Sequence, residues 1–512
     1  MTLLRAEVLG ERSPSWRLAK LSAPLAGFLL APGVVNLVVL GMVGHLGATA
    51  LAAIGAASTV YMVAQALLFG LDTAVQARVS RSVGAGRRDR LGLILSEALA
   101  VGTPLGLALA LAVWAGAPPL LRLMLGASEA ANLGAAYVRA AAPSLVFLAT
   151  TIPINALWVG SARPILPLVV ALATAPVQLL ASWVLIGGAG PLPALGLAGA
   201  GAGQSISTLV GVGLQMALVL RRGGAPDVLH NRPTAAGVAQ TLALGWPISL
   251  QQALLQCGYV ATFAIVVRLG VAATAIANVL ISITNLPVQL SVAVGVGAAT
   301  LVGQALGAGD PAAARRWGWR ASVMGTLVIA PLGLLGVVAP QTLLAPFLRN
   351  HAVLAAALLP MRLAGVTMLA TPVGLILGFA FRGAGATRIA AMIPFVNQWA
   401  VTLPASFVCA LVLGWGLVGL VGVQLAVSLG DAAVSIVFWN GRAWTTPRAL
   451  RPRGARAAPD SLLARAGRML APRNGQAADI GVPAHRNGGG SSAGAVRPRG
   501  ARDRQLPRGR SL

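Results

Sequence analysis

The sequence predicts an all-α integral membrane protein, with twelve transmembrane helices in two six-helix repeats of parallel orientation. Three observations predict it. The chain of 512 residues is 57% apolar with a mean hydropathy of +0.80. Its apolar residues fall in runs of about 20 or more, the length that crosses a bilayer as helix. These runs lack the strict alternation of barrel strands, and in hydrocarbon a helix satisfies its own backbone hydrogen bonds. The third observation is a repeat at an offset of 223 residues. Pro24 matches Pro247, Leu46–Gly47 matches Leu269–Gly270, and Gly84–Ala85–Gly86 matches Gly307–Ala308–Gly309. Gly102/Gly325, Arg139/Arg362 and Gly160/Gly383 keep the offset, which slips to 220 where Gly196, Leu197, Gly199 and Gln204 match Gly416, Leu417, Gly419 and Gln424.

In chain order, residues 1–20 form a polar cytoplasmic segment with Arg5, Arg12, Arg17 and Lys20. The first apolar run is too long for a signal h-region and is expected to stay as an uncleaved span. An N-lobe follows over 21–220, with spans at roughly 21–43, 54–78, 91–115, 131–156, 165–186 and 196–220. A cytoplasmic linker covers 221–241. The C-lobe covers 242–441, with spans at roughly 242–266, 274–301, 319–341, 352–379, 390–413 and 417–440. The Gly-Ala-Gly segments end helices, because glycine suits a left-handed C-cap, and Asp310–Pro311 suits the start of the next. No Lys-Ser/Thr pair follows them, so they are not phosphate-binding loops. Prolines within spans (Pro24, Pro32, Pro176, Pro287, Pro372, Pro394, Pro404) bend helices. Residues 442–512 form a basic tail expected to be disordered, except that Ser461–Ala471 has the pattern of a short amphipathic helix on the membrane surface.

Charge placement gives the orientation. The net charge is +26, much of it in the tail and in alternate loops, such as Arg78, Arg81, Arg87, Arg88 and Arg90, or Arg315, Arg316 and Arg320. The other loops carry only Arg122, Arg268 and Arg349. The positive-inside rule then places both termini in the cytoplasm of a bacterial cytoplasmic membrane. The basic surface suits anionic lipid as a partner, not nucleic acid. Trp16, Trp158, Trp246, Trp317, Trp319, Trp439 and Trp444 near inner ends, and Trp114, Trp183 and Trp415 near outer ends, read as aromatic belts. Cys257 and Cys409 lie far apart in spans, with no metal or disulfide spacing.

Ionisable groups within a bilayer are costly, which makes them functional candidates. Three acids lie in spans: Asp72, Glu97 and Asp431. Asp72 and Glu97 stand near the cytoplasmic side, where Arg78 or Arg81 can pair with them. Asp431 is deepest and has no arginine near it in the chain. Polar residues recur at helical spacing at Gln252, Gln256 and Tyr259, and again at Asn278, Ser282 and Asn285. With Asn36, Asn397, Gln398 and Trp399 they are the candidates for a substrate or ion path. Arg139 and Arg362, repeat partners within spans, suggest a shared role at the lobe interface.

The segments WRLAKLSAPL, MVGHLGATALAAIG, LGWPISLQQ, VGVGAATLVGQALGAGDPAAAR and RGAGATR (382–388) resemble the multidrug and toxic compound extrusion (MATE) family over nearly all of 15–440, with Gly44–Leu46 leaning to its DinF-like branch. The resemblance implies two six-helix lobes around a V-shaped cavity and export of organic, often cationic, compounds driven by protons or sodium, with no cofactor. The acid common in span one of that branch aligns with Val39 here, the span-seven glutamate of other members with Leu255 or Gln256, and the aspartate of a Gly-x-Gly-Asp-Thr loop with Ala386. No coupling residue therefore carries over. The expected function is a secondary active exporter of small molecules, sufficient as a monomer. The alternative is a lipid or lipid-linked oligosaccharide flippase, which would use Arg139 and Arg362 for phosphate. A membrane enzyme of the prenyl- or glycosyl-transferase kind needs clustered acids for magnesium, and no Asp-x-x-Asp cluster exists.

Overall fold

The computed structural model describes residues 14–188, 194–221, 231–348, 350–441 and 444. The expected tail, apart from Trp444, and the amphipathic pattern at 461–471 lie outside them, as do residues 222–230 of the inter-lobe linker. Among the described residues there are twelve helices long and apolar enough to cross a membrane: α1 Ser15–Gly44, α2 Ala48–Gly84, α3 Arg88–Leu125, α4 Pro143–Gly160, α5 Ile165–Gly187, α6 Leu197–Arg221, α7 Ala235–Arg268, α8 Val271–Gly307, α9 Pro311–Val338, α10 His351–Gly383, α11 Thr387–Val412 and α12 Gly416–Asn440. One expected span divides. The stretch read as 131–156 is an amphipathic helix Glu129–Ala141, capped by Ser128, followed by α4 from Pro143. Pro143 lacks the N–H that would continue the first helix, so the axis breaks there.

The duplication is written into the backbone. Gly47 and Gly270 take φ of 102° and 98°, Gly86 and Gly309 take 74° and 80°, and Gly196 and Gly416 take 55° and 56°. These left-handed positions favour glycine because a Cβ would crowd the carbonyl. The single non-glycine residue there among those described, Ala162 at 60°, is the repeat partner of Gly385 at 74°. Asp310 caps α9 as expected, accepting from Ala313 N at 2.7 Å.

Four apolar clusters lie within single lobes, and two of them show the pattern. One joins α1, α2, α3, Glu129–Ala141, α4, α5 and α6 through Val39, Val43, Leu121 and Val138. The other joins α8, α9, α10 and α12 through Ile276, Ile329, Met361 and Val421. The clusters that mix the lobes lie near the end that carries Ser15 and Asn440. There Leu18 and Leu21 pack with Val294, Ala298, Leu301 and Ile376, and Leu25 packs with Val159 and Ala293. The cross-lobe packing therefore gathers at this closed end, and at the opposite, open end Leu46 and Val271 are exposed.

Close backbone approach makes the closed end tight, and it follows the repeat. A Cβ on Gly84 would strike the Gln304 backbone, and one on Gly307 would strike the Arg81 backbone. Arg81 is the repeat partner of Gln304. Arg81 Nη2 donates to Ala384 O at 3.0 Å, and Gln304 Nε2 donates to Gly160 O at 3.1 Å. Gln76 Nε2 adds bonds to Val296 O and Thr300 Oγ1, both at 3.0 Å, and Ser249 donates to Leu67 O at 2.5 Å.

Glu97 pairs with Arg78, as one of the two expected partners. Its carboxylate also accepts from Thr234 Oγ1, the N-cap of α7, and Arg78 reaches Thr241 Oγ1 at 2.6 Å and Gly237 O at 3.3 Å. The carboxylate fills the space of the missing Gly237 side chain. A negative charge at a helix N-terminus is stabilising, so this network fastens the start of the second lobe to α2 and α3 of the first. The other expected pair does not form. Asp72 lies toward Arg382 of the opposite lobe, and Arg78 and Arg81 are spent on Glu97, α7 and Ala384.

The tryptophan expectation holds in part. Trp16, Trp246, Trp114, Trp183 and Trp415 are exposed. Trp158, Trp439 and Trp444 are fully buried and form no belt. Trp158 Nε1 donates to Gln215 Oε1 at 3.1 Å. Trp444 returns to stack on Trp439 at 4.0 Å between centroids, its Nε1 donating to Trp439 O at 2.8 Å, and Trp439 meets Phe381 edge-on at 5.3 Å. Burial won because each indole N–H finds an acceptor inside. Trp444→Ala is expected to remove about 3–5 kcal/mol of packing. Thermal unfolding in detergent checks this: the midpoint falls by several degrees, whereas Trp415→Ala, on the surface, leaves it unchanged.

Candidate functional site

Asp431 stands mid-way along α12, half-buried in the second lobe. Its carboxylate accepts a hydrogen bond from Asn397 Nδ2 of α11. The Tyr259 phenol of α7 lies within range of its charge. Gly374 of α10 makes room for it, since a Cβ there would sit 3.2 Å from Asp431 Cβ. Next to Asn397, Gln398 is buried, donates to Thr262 Oγ1 at 3.3 Å and lies over Gly258. Asp431, Asn397, Gln398 and Tyr259, all sequence candidates, thus gather where α7, α10, α11 and α12 approach one another, with Tyr259 largely exposed and Gln398 buried against α7.

The backbone of α11 creates this arrangement. It is α-helical over Thr387–Val396 and π-helical over Asn397–Thr402 and again over Val408–Val412. Thr402 Oγ1 reaches back five residues to Asn397 O at 2.9 Å. Pro394 and Pro404 each lack an N–H, which loosens the ladder on either side and admits the wider turn. The π segment turns both Asn397 and Gln398 inward at consecutive positions. Trp399, next in line, is exposed.

The remaining candidates lie elsewhere. Asn278, Ser282 and Asn285 form an exposed face of α8, turned away from Ile276 and Leu280 in the lobe core. Asn36 is likewise exposed on α1, at the edge of the face that carries buried Val35 and Val39. Gln252 and Gln256 are half-buried on α7, two turns and one turn short of Tyr259 respectively. Arg139 and Arg362 do not meet at the lobe interface. Arg139 lies over the Trp114 ring at 4.9 Å and donates to Trp114 O at 3.2 Å, within the first lobe. Arg362 lines a crevice with Val338, Ala339 and Gln341, within the second. Both are exposed, and an arginine in a lipid-facing setting gains more from a tryptophan face and a free carbonyl than from a buried seam.

An isolated carboxylate away from water is expensive unless a proton or a cation neutralises it. The ion pairs within 4.0 Å among the described residues are Arg78–Glu97 and Arg316–Asp310, so Asp431 has no basic partner at that range. An amide bonds it and a phenol lies within range of its charge, groups that serve a carboxylate in either state.

The family model MatE matches residues 24–184 and again 247–408, well over half of the chain. The chain belongs to the MatE family. The two matches begin at the repeat partners Pro24 and Pro247, so the family unit is the half-transporter itself. This transporter is similar to a probable multidrug resistance protein NorM of Bradyrhizobium diazoefficiens, at 31% identity over 76% of this chain and 85% of the relative. It is also similar to the multidrug resistance protein NorM of Burkholderia vietnamiensis, at 26% identity over 85% of this chain and 95% of the relative. Solved structures share its fold. A MATE structure in the straight conformation superposes with a TM-score of 0.76 at 17% identity, over 84% of this chain and 96% of that one. A MOP superfamily transporter from Pyrococcus furiosus does so with a TM-score of 0.73 at 18% identity, over 84% and 95%.

Proposed function

We propose that this transporter is a secondary active exporter of organic, often cationic or hydrophobic, compounds, working by alternating access as an antiporter driven by protons or sodium. The relatives named for multidrug resistance support export of this kind. The observation that carries the coupling is the cluster around Asp431: one unpaired acid, held by Asn397 on a π turn, in the wall of a lobe that moves against its partner. A cation or proton arriving from the open end neutralises Asp431, and the change in its hydrogen bonding alters the packing of α7, α11 and α12.

Arginine placement orients the molecule. The turn after α2 carries Arg87, Arg88 and Arg90, and the one after α8 leads to Arg315 and Arg316, all at the closed end. By the positive-inside rule this end faces the cytoplasm of a bacterial cell, and the open end faces outward. The described form is then outward-facing, poised to release cargo and take up the driving cation. The flippase reading would use Arg139 and Arg362 for phosphate; each has its contacts within its own lobe.

Uptake of a fluorescent organic cation into inverted vesicles tests the proposal. An imposed proton or sodium gradient is expected to drive accumulation that collapses when the gradient is dissipated. Gradient-independent behaviour over a panel of cations would contradict it.

A further inference from the structure

A second charged place lies in the seam between the lobes, apart from the Asp431 cluster. Asp72 of α2 sits one turn from Gln76, the residue that ties α2 to α8, and on nearly the same face. Arg382 ends α10 in the opposite lobe and is within charge range of Asp72. Both are half-buried. The two are not in contact, because they are absent from the ion pairs within 4.0 Å.

The hydrogen bonding here is incomplete. Arg382 lies over the Phe379 ring at 4.5 Å, and its one hydrogen bond, to Gln251 Oε1, is long at 3.5 Å. Arg382 Nε is buried without an acceptor. Gln251 is 3% exposed, and its Nε2 is also without an acceptor. Asp72 accepts no hydrogen bond from a described residue. Buried donors are rarely left so, and Arg382 Nε and Gln251 Nε2 each carry the full penalty of desolvation, while the half-buried Asp72 carboxylate keeps some exposure. At this one place the first lobe offers an unpaired carboxylate, and the second offers an unpaired guanidinium edge and an unpaired carboxamide N–H.

We infer that Asp72, Arg382 and Gln251 form a recognition site for a zwitterionic organic solute. Its ammonium group pairs with Asp72, and its carboxylate is held by Arg382 and Gln251 Nε2. The Phe379 ring, already beneath the guanidinium, gives the site an apolar floor for an adjoining hydrocarbon or aromatic part. The inference rests on the export reading for its cargo, but its chemistry is that of binding alone. A solute bridging the lobes supplies partners to all three orphaned groups at once, and a solute with only one charge leaves some of them unmet.

Equilibrium binding to the full-length protein in nanodiscs tests this without any gradient. Three probes are built on one aromatic scaffold: the amino acid, its methyl ester and its N-acetyl acid. The wild type is expected to bind the zwitterion at least tenfold tighter than either relative. Arg382→Gln should erase the preference over the ester while leaving ester binding unchanged. Asp72→Asn should erase the preference over the N-acetyl acid. Equal binding of the three probes by the wild type would overturn the inference, and so would an equal loss of all three in both variants, which marks the pair as an inter-lobe lock. If the preference is present but vesicles show no gradient-driven uptake, the export reading fails and the site stands.

Discussion

Asp431→Asn is expected to abolish gradient-driven transport while leaving the protein folded. The side chains are nearly equal in size, and the amide can still accept from Asn397 Nδ2. What is lost is the ability to gain and lose charge. In inverted vesicles the variant should fall at least a hundredfold in gradient-driven accumulation and still exchange substrate down its own gradient. Asn397→Leu should give a milder defect, because it removes the hydrogen bond but keeps the acid. Full gradient-driven uptake by Asp431→Asn would remove this residue from the coupling route.

The second large effect is expected at the closed end. Gly307→Val places a branched side chain against the Arg81 backbone, where nothing flexible can give way. Overpacking of this kind costs about 1–3 kcal/mol, occasionally more. The strain exists only while the seam is closed, so it is relieved when the lobes part there. The equilibrium then shifts roughly 10- to 100-fold toward a form open at this end. Transport should fall sharply, and cysteine labelling at Ser80, buried against Gly303 in the seam, should rise. Gly84→Val, the repeat partner, should behave alike. Gly86→Val would separate packing from backbone effects: a Cβ there meets open space, and its left-handed φ of 74° penalises a branched residue in both forms. It should lower stability without selecting a conformation.

Much of this architecture is legible in the sequence because membrane helices are read from length and apolarity alone. The repeat is legible because left-handed turns demand glycine at fixed places, as at Gly47/Gly270 and Gly86/Gly309. The candidate cluster was legible residue by residue, as Asp431, Asn397, Gln398 and Tyr259, yet not as one place. What joins them is the π turn in α11, and a π turn follows from the balance of a loosened ladder against tertiary packing, for which Pro394 and Pro404 are only a hint. The Asp72–Arg382 juxtaposition was not legible either. The two residues are 310 positions apart, and local reasoning paired Asp72 with the arginines that follow it on its own helix. The signal available was Arg382 itself, a charge at the helix end of the RGAGATR segment. Tryptophan placement misled for the same reason: Trp158, Trp439 and Trp444 have belt-like positions along the chain, but their N–H groups find acceptors inside the lobes.

The central claim is that the two lobes rock about a seam that is now shut at the basic end, under control of a cation. Paired spin labels report this most directly. In a background lacking Cys257 and Cys409, one pair is placed at Leu46 and Val271, exposed positions at the open end, and another at Arg87 and Asp310, exposed positions at the closed end. In nanodiscs, changing the pH, the sodium concentration or the cargo should shorten one distance population and lengthen the other together. With Asp431→Asn, neither pH nor sodium should move either pair. Two distances that stay fixed in the wild type under every condition would contradict the account.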